Sequence, residues 1–455
     1  MIREGIESMR RAWTALLSLL LIISVAAACS TGSNGGSTAP ETTEPSNTGA
    51  VKNAPAPGEG KDITLKMSIW GDDNRKRMFE EVVKEFTDAH PGINVEVMLI
   101  PYQEYPQKIS IMAASKTAPD VIWLYDAIIP QIRDANLLMD LSELADDPEY
   151  DLNDVYASSM DIYRGKDSGL YGIPFSAGPK VLFYNKKLFA EKGLKTPNEL
   201  VKEGNWTYEE FLKTAKALTD PSQGVYGVKI AGGSNWKDAY TDTFWSFGAD
   251  IFNEDATEFL LNSPESAQVL QMFDDMMFKD FTNPKPGDQI SFESGKIGMF
   301  RGNYSYSASA RKAEGLEFDI APMPKGPVAD APFYDGVSGY SVMKDTEYPA
   351  EALELLKFFT SKEGMAKFQA TFPPPRKSVL ESEAFANMND QPSAEGIKLA
   401  MSEPMSAGGR VIPTPENWQQ INTKIQNLLD ILYTQSATVE EVLERMDQEV
   451  APLLK

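Results

Sequence analysis

Several short stretches of this chain set an aromatic ring beside a group that can hydrogen-bond. Trp70 is followed by Asp72 and Asp73, Tyr125 by Asp126, and Trp236 and Trp245 bracket Asp242. Asp335 and Gly336 precede Tyr340, while Tyr304, Arg376 and Trp418 stand apart. A flat ring offers a stacking face, and a fixed carboxylate or guanidinium fixes a polar edge. Together they can hold a small solute that has hydroxyls and weakly apolar C–H faces. Catalysis has less material. The chain has 1 His and 1 Cys, too few for a His-rich zinc site, and His90 lies in an Ala-His-Pro-Gly turn rather than in a Ser-His-Asp setting. Two carboxylates across a cleft could act as acid and nucleophile on a glycosidic bond, but nothing in the sequence fixes a pair at the required separation. Asp151, Asn153 and Asp154 begin like a calcium loop, yet no EF-hand pattern follows. Neither a Walker motif nor a dinucleotide fingerprint is present, so no cofactor and no metal are expected.

The elements that carry these residues can be read from periodicity. Ile63–Trp70 alternates apolar and polar residues and reads as a strand with Trp70 at its end. A helix is expected from Arg75 to about Ala89, a strand over Ile93–Leu99, a helix over Tyr105–Ala114 and a buried strand over Pro119–Leu124 that ends just before Tyr125 and Asp126. This order begins a parallel α/β unit, in which ligands bind beyond the carboxyl ends of the strands. Val181-Leu182-Phe183-Tyr184 is short, apolar and β-branched or aromatic, so it reads as a strand covered on both faces. Thr207 and Glu210 form a capping-box pattern, with Trp206 as a staple. Gly248 closes a helix after Trp245. Trp123 sits inside an apolar run and reads as core. Loop carboxylates such as Asp72, Asp73 and Asp242 are commonly solvated. Trp418 stands three residues before Ile421 and either extends the stripe Ile421, Ile425, Leu428, Leu429, Leu432 or turns into a cleft.

At 455 residues the length prior is about two to three domains. The net charge of −23 argues against nucleic acid as a partner. Arg3, Arg10 and Arg11 precede an apolar run of 17 residues, Ala12–Ala28, short for a membrane span, and Ala26-Ala27-Ala28-Cys29 then offers a small-residue cleavage site ending on Cys. From Ser30 to Asp62 the chain is Ser/Thr/Gly/Pro-rich and reads as a tether.

Eight motifs in order resemble one family. They are the strand ending at Trp70, "AHPGINVEV", the "APDV" strand and "YGIPFSAGPKVLFYNKKLF" (Tyr171–Phe189), followed by the stretch Phe292–Tyr304, "PMPKG" (Pro322–Gly326), "GYSV" (Gly339–Val342) with its helix Ala350–Thr360, and the Pro413–Trp418 turn. The chain resembles extracellular solute-binding proteins of ABC importers, the sugar-binding, maltose-binding-protein-like group in particular. Ala26-Ala27-Ala28-Cys29 likewise resembles a bacterial lipoprotein signal, with Ala26 where Leu is usual. The resemblance implies a two-lobed α/β fold of the periplasmic-binding-protein type. Lobe one would be Ile63–Phe175 and Pro324–Thr371, and lobe two Val181–Phe318 and Lys377–Lys455. Crossings would lie at Ser176–Lys180, Asp319–Met323 and Phe372–Arg376. It implies a carbohydrate, expected to be an oligosaccharide, captured between the lobes by Trp70, Asp72, Asp73, Tyr125, Asp126, Trp236, Asp242, Trp245, Tyr304, Asp335, Gly336, Tyr340, Arg376 and Trp418. Tyr304 and Trp418 stand at the family's stacking positions. The expected partners are an ABC permease and the membrane, reached through lipid on Cys29 at the outer face of a Gram-positive cell, with the protein itself monomeric. A ligand-presenting sensor component and a glycoside hydrolase are the alternative readings.

Overall fold

Strand β1 (Ile63–Trp70) buries Leu65, Met67 and Ile69 on one face, as its alternation requires. The polar Ser68 on the other face is buried as well, its hydroxyl 2.7 Å from that of Tyr105. β1 pairs in parallel with β2 (Ile93–Ile100) and β3 (Val121–Tyr125). β4 (Ile173–Ser176) completes this sheet through β10 (Ser338–Val342), which runs antiparallel to both β3 and β4, giving the order β2-β1-β3-β10-β4. These coordinates are a computed structural model that describes residues 62–230 and 235–454. Cys29, the leader and most of the tether lie outside the described residues.

A second sheet has the order β6-β7-β5-β8, built from β5 (Val181–Asn185), β6 (Tyr226–Lys229), β7 (Ile297–Gly302) and β8 (Phe318–Pro322). Every residue of β5 is buried. Val181 and Phe183 enter one apolar cluster, and Leu182 and Tyr184 enter the other. Successive side chains of a strand point to opposite faces, so β5 is covered on both sides and ties the two cores together. The helices Trp236–Phe247, Trp418–Tyr433 and Val439–Val450 belong to the second sheet's core, with Trp236, Tyr240, Ile421, Ile425 and Val442 all buried there. The result is a two-lobed α/β fold, one sheet per lobe.

The chain passes between the lobes three times, twice from sheet to sheet (β4 to β5 and β8 to β10) and once from the first lobe to the helices Trp418–Tyr433 and Val439–Val450, and the passes are bonded to one another. Ser176 ends β4 and Val181 begins β5. Within that pass the Ala177 amide donates to Pro373 O at 3.2 Å, and Gly178 O accepts from the Gly336 amide at 3.2 Å. Gly178 has φ +154°, a conformation that favours glycine. The expected second crossing at Asp319–Met323 is a correction: 318–322 is strand β8, fully within the second sheet. Lys325 still bonds across to Trp206 and Tyr208, and Val328 to Ser246. β9 (Phe333–Tyr334) pairs with β11 (Gly409–Arg410). The chain regains the first sheet only at Ser338, because Pro324–Tyr334 finds its backbone partners on the second lobe.

Candidate functional site

Between the lobes lies a cavity of about 370 Å³, inside the roughly 300–1,000 Å³ range of small-molecule sites. The first lobe supplies aromatic rings from strand ends. Trp70 ends β1 and is stacked on Trp123 with centroids 3.8 Å apart, and Trp123 lies on Tyr340 at 5.7 Å. The two inner rings are fully buried, so they hold Trp70 at the cavity as the outer member of the stack. Tyr125 ends β3 and packs at 5.5 Å from Trp70 and 5.7 Å from Tyr102. Tyr102 is 44% exposed and lies two residues beyond the end of β2, on the same edge of the sheet.

The second lobe supplies polar groups. Asn235 caps the Trp236–Phe247 helix by accepting from the Asp238 amide, which brings the first turn, with Lys237 and Asp238, to the cavity wall. Lys237 Nζ reaches across to Asp126 of the first lobe, 2.9 Å from each carboxylate oxygen. The Tyr334 hydroxyl donates to the same carboxylate. Lys180 Nζ donates to Asn303 Oδ1 at 2.6 Å and pairs with Asp238 at 3.0 Å. Burial raises the Asp238 pKa, but Lys180 and Lys237 outweigh it and hold this carboxyl below the usual range. Arg75, from the first turn of the Asp73–Ala89 helix, also lines the wall.

Of the residues singled out from sequence, Trp70, Tyr125, Asp126, Tyr304 and Gly336 reach the cavity. Tyr304 is almost wholly buried, its ring 5.5 Å from Phe385. The others do not line it. Asp72 is the cap of the Asp73–Ala89 helix, its Oδ1 accepting from the Arg75 amide at 2.9 Å, and Asp73 is an exposed first-turn residue. Trp236 faces the second-lobe core, 6.1 Å from Trp418. Asp242 is buried against Arg301, where desolvation raises its pKa despite the guanidinium. Trp245 donates to Asp250 and lies under Arg410. Asp335 is buried among the crossings, accepting from Ser159 Oγ at 2.8 Å and the Gly178 amide at 2.9 Å. Tyr340 is core, beneath Trp123. Arg376 is fully buried and tied to Thr360 O and Asp151 O, with Asp154 at 3.6 Å. This pins the third crossing to the Asp151–Asp154 segment that had the look of a calcium loop. Trp418 is 5% exposed and packs on Trp236 and Phe252.

Sequence reasoning missed Arg75, Tyr102, Lys180, Lys237, Asp238 and Asn303, and Trp123, read as core, is buried but also borders the cavity. Tyr102 carried a readable signal, since it follows a strand end as Trp70 and Tyr125 do. Among the described residues no group of His, Cys, Asp and Glu is arranged to hold a metal, and no helix is long and apolar enough to cross a membrane.

Residues 72–366 match the family described as bacterial extracellular solute-binding protein. The chain is 24% identical over 403 residues to a putative binding protein of Brucella suis, covering 83% of this chain and 90% of that one. It is 23% identical over 402 residues to the arabinooligosaccharide-binding protein of Halalkalibacterium halodurans, covering 82% and 86%. Among solved structures, the ABC substrate-binding protein Lmo0181 of Listeria monocytogenes, in complex with cycloalternan, superposes with a TM-score of 0.74 at 22% identity, over 86% of this chain and 98% of that one. With one α/β sheet per lobe, a cavity between the lobes and a match over residues 72–366, this chain belongs to the bacterial extracellular solute-binding protein family.

Proposed function

We propose that this protein captures a short saccharide between its lobes and delivers it to an ABC permease for import. The observation that carries this is the pairing of wall chemistries. A ring wall of Trp70, Tyr102 and Tyr125 suits the C–H face of a sugar, and the facing Lys180, Asp238 and Asn303 suit its hydroxyls. The carbohydrate ligands named for relatives support the same class. Capture proceeds by closure: a solute touching both walls favours the state in which they are close, by its differential affinity for that state. The role is binding, with no covalent step. Thermal-shift screening of the purified protein against a glycan library tests this, because a tight ligand raises stability by mass action. A hit is expected among mono- to trisaccharides and should be returned with unchanged mass after a day's incubation. No stabilisation by any saccharide, or cleavage of the hit, overturns the reading.

Membership of the family places the protein outside the cytoplasm. Lipid on Cys29, on the outer face of a Gram-positive membrane, is the further proposal, supported by Ala26-Ala27-Ala28-Cys29 ahead of a polar leash. Cys29→Ser should abolish metabolic labelling by a fatty acid, and a mutant labelled like wild type refutes the anchor.

A further inference from the structure

The charges on the cavity wall do not balance. Lys237 is paired with Asp126 and Lys180 with Asp238. Arg75 is the remaining charged side chain of the wall, and among the described residues no carboxylate forms an ion pair with it. Asp72, the near acid, accepts from the Arg75 backbone amide rather than from the guanidinium. The guanidinium is nonetheless built into place. Its Nη1 donates to Trp70 O at 3.2 Å. Its carbon stands 5.1 Å from the Phe372 ring and 6.0 Å from the Trp123 ring. Its stem crosses Gly71, where a Cβ would come within 2.7 Å of Arg75 Cδ, and Gly71 has φ +139°. Backbone and side chain together therefore need glycine there so that the guanidinium can fold back toward the cleft. Burial draws the guanidinium's pKa down from its ordinary value by more than the nearby Asp72 carboxylate raises it. One bond to a carbonyl leaves most of the five N–H donors of an arginine for a ligand.

We propose that Arg75 is an anion-recognising position, and that the solute is a saccharide bearing a carboxylate, as in a uronic acid. This rests on the carbohydrate reading above and goes beyond it. A planar fork meets a carboxylate through two parallel bonds, and Trp70 beside it takes the face of the ring that carries the acid. One unpaired cation calls for one anionic group.

The test is calorimetric titration of the purified protein with pairs of oligosaccharides, each a uronate-containing acid and its methyl ester, together with neutral and sulfated disaccharides. The acid should bind at least about tenfold tighter than its ester, the range of a hydrogen bond to a charged group. Arg75→Gln should remove most of that preference, read as the ratio of acid to ester affinity within the same variant, and Arg75→Lys should restore part of it. If saccharides bind but acid and ester bind alike, in wild type and Arg75→Gln, the anion site is refuted while the carbohydrate reading stands. A sulfated sugar that outcompetes every uronate refutes the carboxylate. If no saccharide of any charge binds, both readings fall.

Discussion

Trp418 shows how a single residue can carry the right chemistry and still face away from the cleft. It opens a helix after a Pro-rich turn, where a ring has room to leave the packed stripe. The structure keeps it on the stripe instead, against Trp236 and Phe252 and buried with Ile421 and Ile425. Lys237 Nζ stands 5.9 Å from its ring, so its link to the cleft is through the ammonium of that lysine. Trp418→Ala should therefore cost about 3–5 kcal/mol of folding stability, the usual range for removing a core Trp. It should change ligand affinity much less than Trp70→Ala, which removes a ring from the wall itself. Denaturant unfolding and titration on both variants check this. A Trp418→Ala protein of wild-type stability that fails to bind would return the ring to the site. The sequence could not separate these outcomes, because spacing defines which helix face is apolar and says nothing about which neighbour covers the first turn. The same limit hid Arg75. Its place on the wall depends on the turn at Gly71, and the first cation of the run Arg75-Lys76-Arg77 carries no signal of that.

At the scale of elements, the strands were legible and the connections less so. β1, β2, β3 and β5 fall within one or two residues of their expected bounds, because alternation and apolar runs report burial directly. The expected second crossing failed because Pro322-Met323-Pro324-Lys325 looks like a linker in one dimension, whereas its amides and carbonyls pair with Trp206 and Tyr208. The bond between crossings was invisible for the same reason. Asp335 joins the first pass to the second, and burial pushes its carboxyl up to about 6 from an ordinary 3.8, against the bonds from Ser159 and Gly178. Lys180 and Asp126 are the charged groups that face it. A carboxyl raised in the folded state stabilises that state fully below its unfolded pKa, and the contribution is lost as pH climbs through the folded value. Between pH 7 and pH 4 the wild type should therefore gain stability relative to Asp335→Asn, by up to about 3 kcal/mol for a rise from 3.8 to about 6. Paired melting curves across that window decide it. A constant difference between the two proteins would mean that Asp335 folds as ionised as it unfolds.

At the scale of the molecule, a buried ion pair joins the two walls of the cleft. Asp126 follows the end of β3 in the first sheet and Lys237 belongs to a helix of the second lobe, and their side chains are 8% and 10% exposed in the pair. Tyr334 shares the same carboxylate. When the lobes part, both charges regain water, so the pair is a property of the approached state alone. Removing the lysine leaves a buried carboxylate with only the tyrosine, a loss of about 3–5 kcal/mol for a desolvated pair broken on one side. That penalty falls on the approached state and spares the parted one. Lys237→Met should thus shift the ligand-free protein toward separated lobes, seen as a larger radius of gyration in small-angle scattering, and weaken the affinity for the best saccharide by the free energy needed to bring the lobes back. Replacing both members, Asp126→Asn with Lys237→Met, should recover much of the compact form, since no unpaired charge is then buried. A direct ligand contact by Lys237 predicts a different pattern: affinity falls, scattering does not move, and the double variant binds no better than the single one. Scattering and titration on the same three proteins therefore separate a strut between the lobes from a hand on the solute.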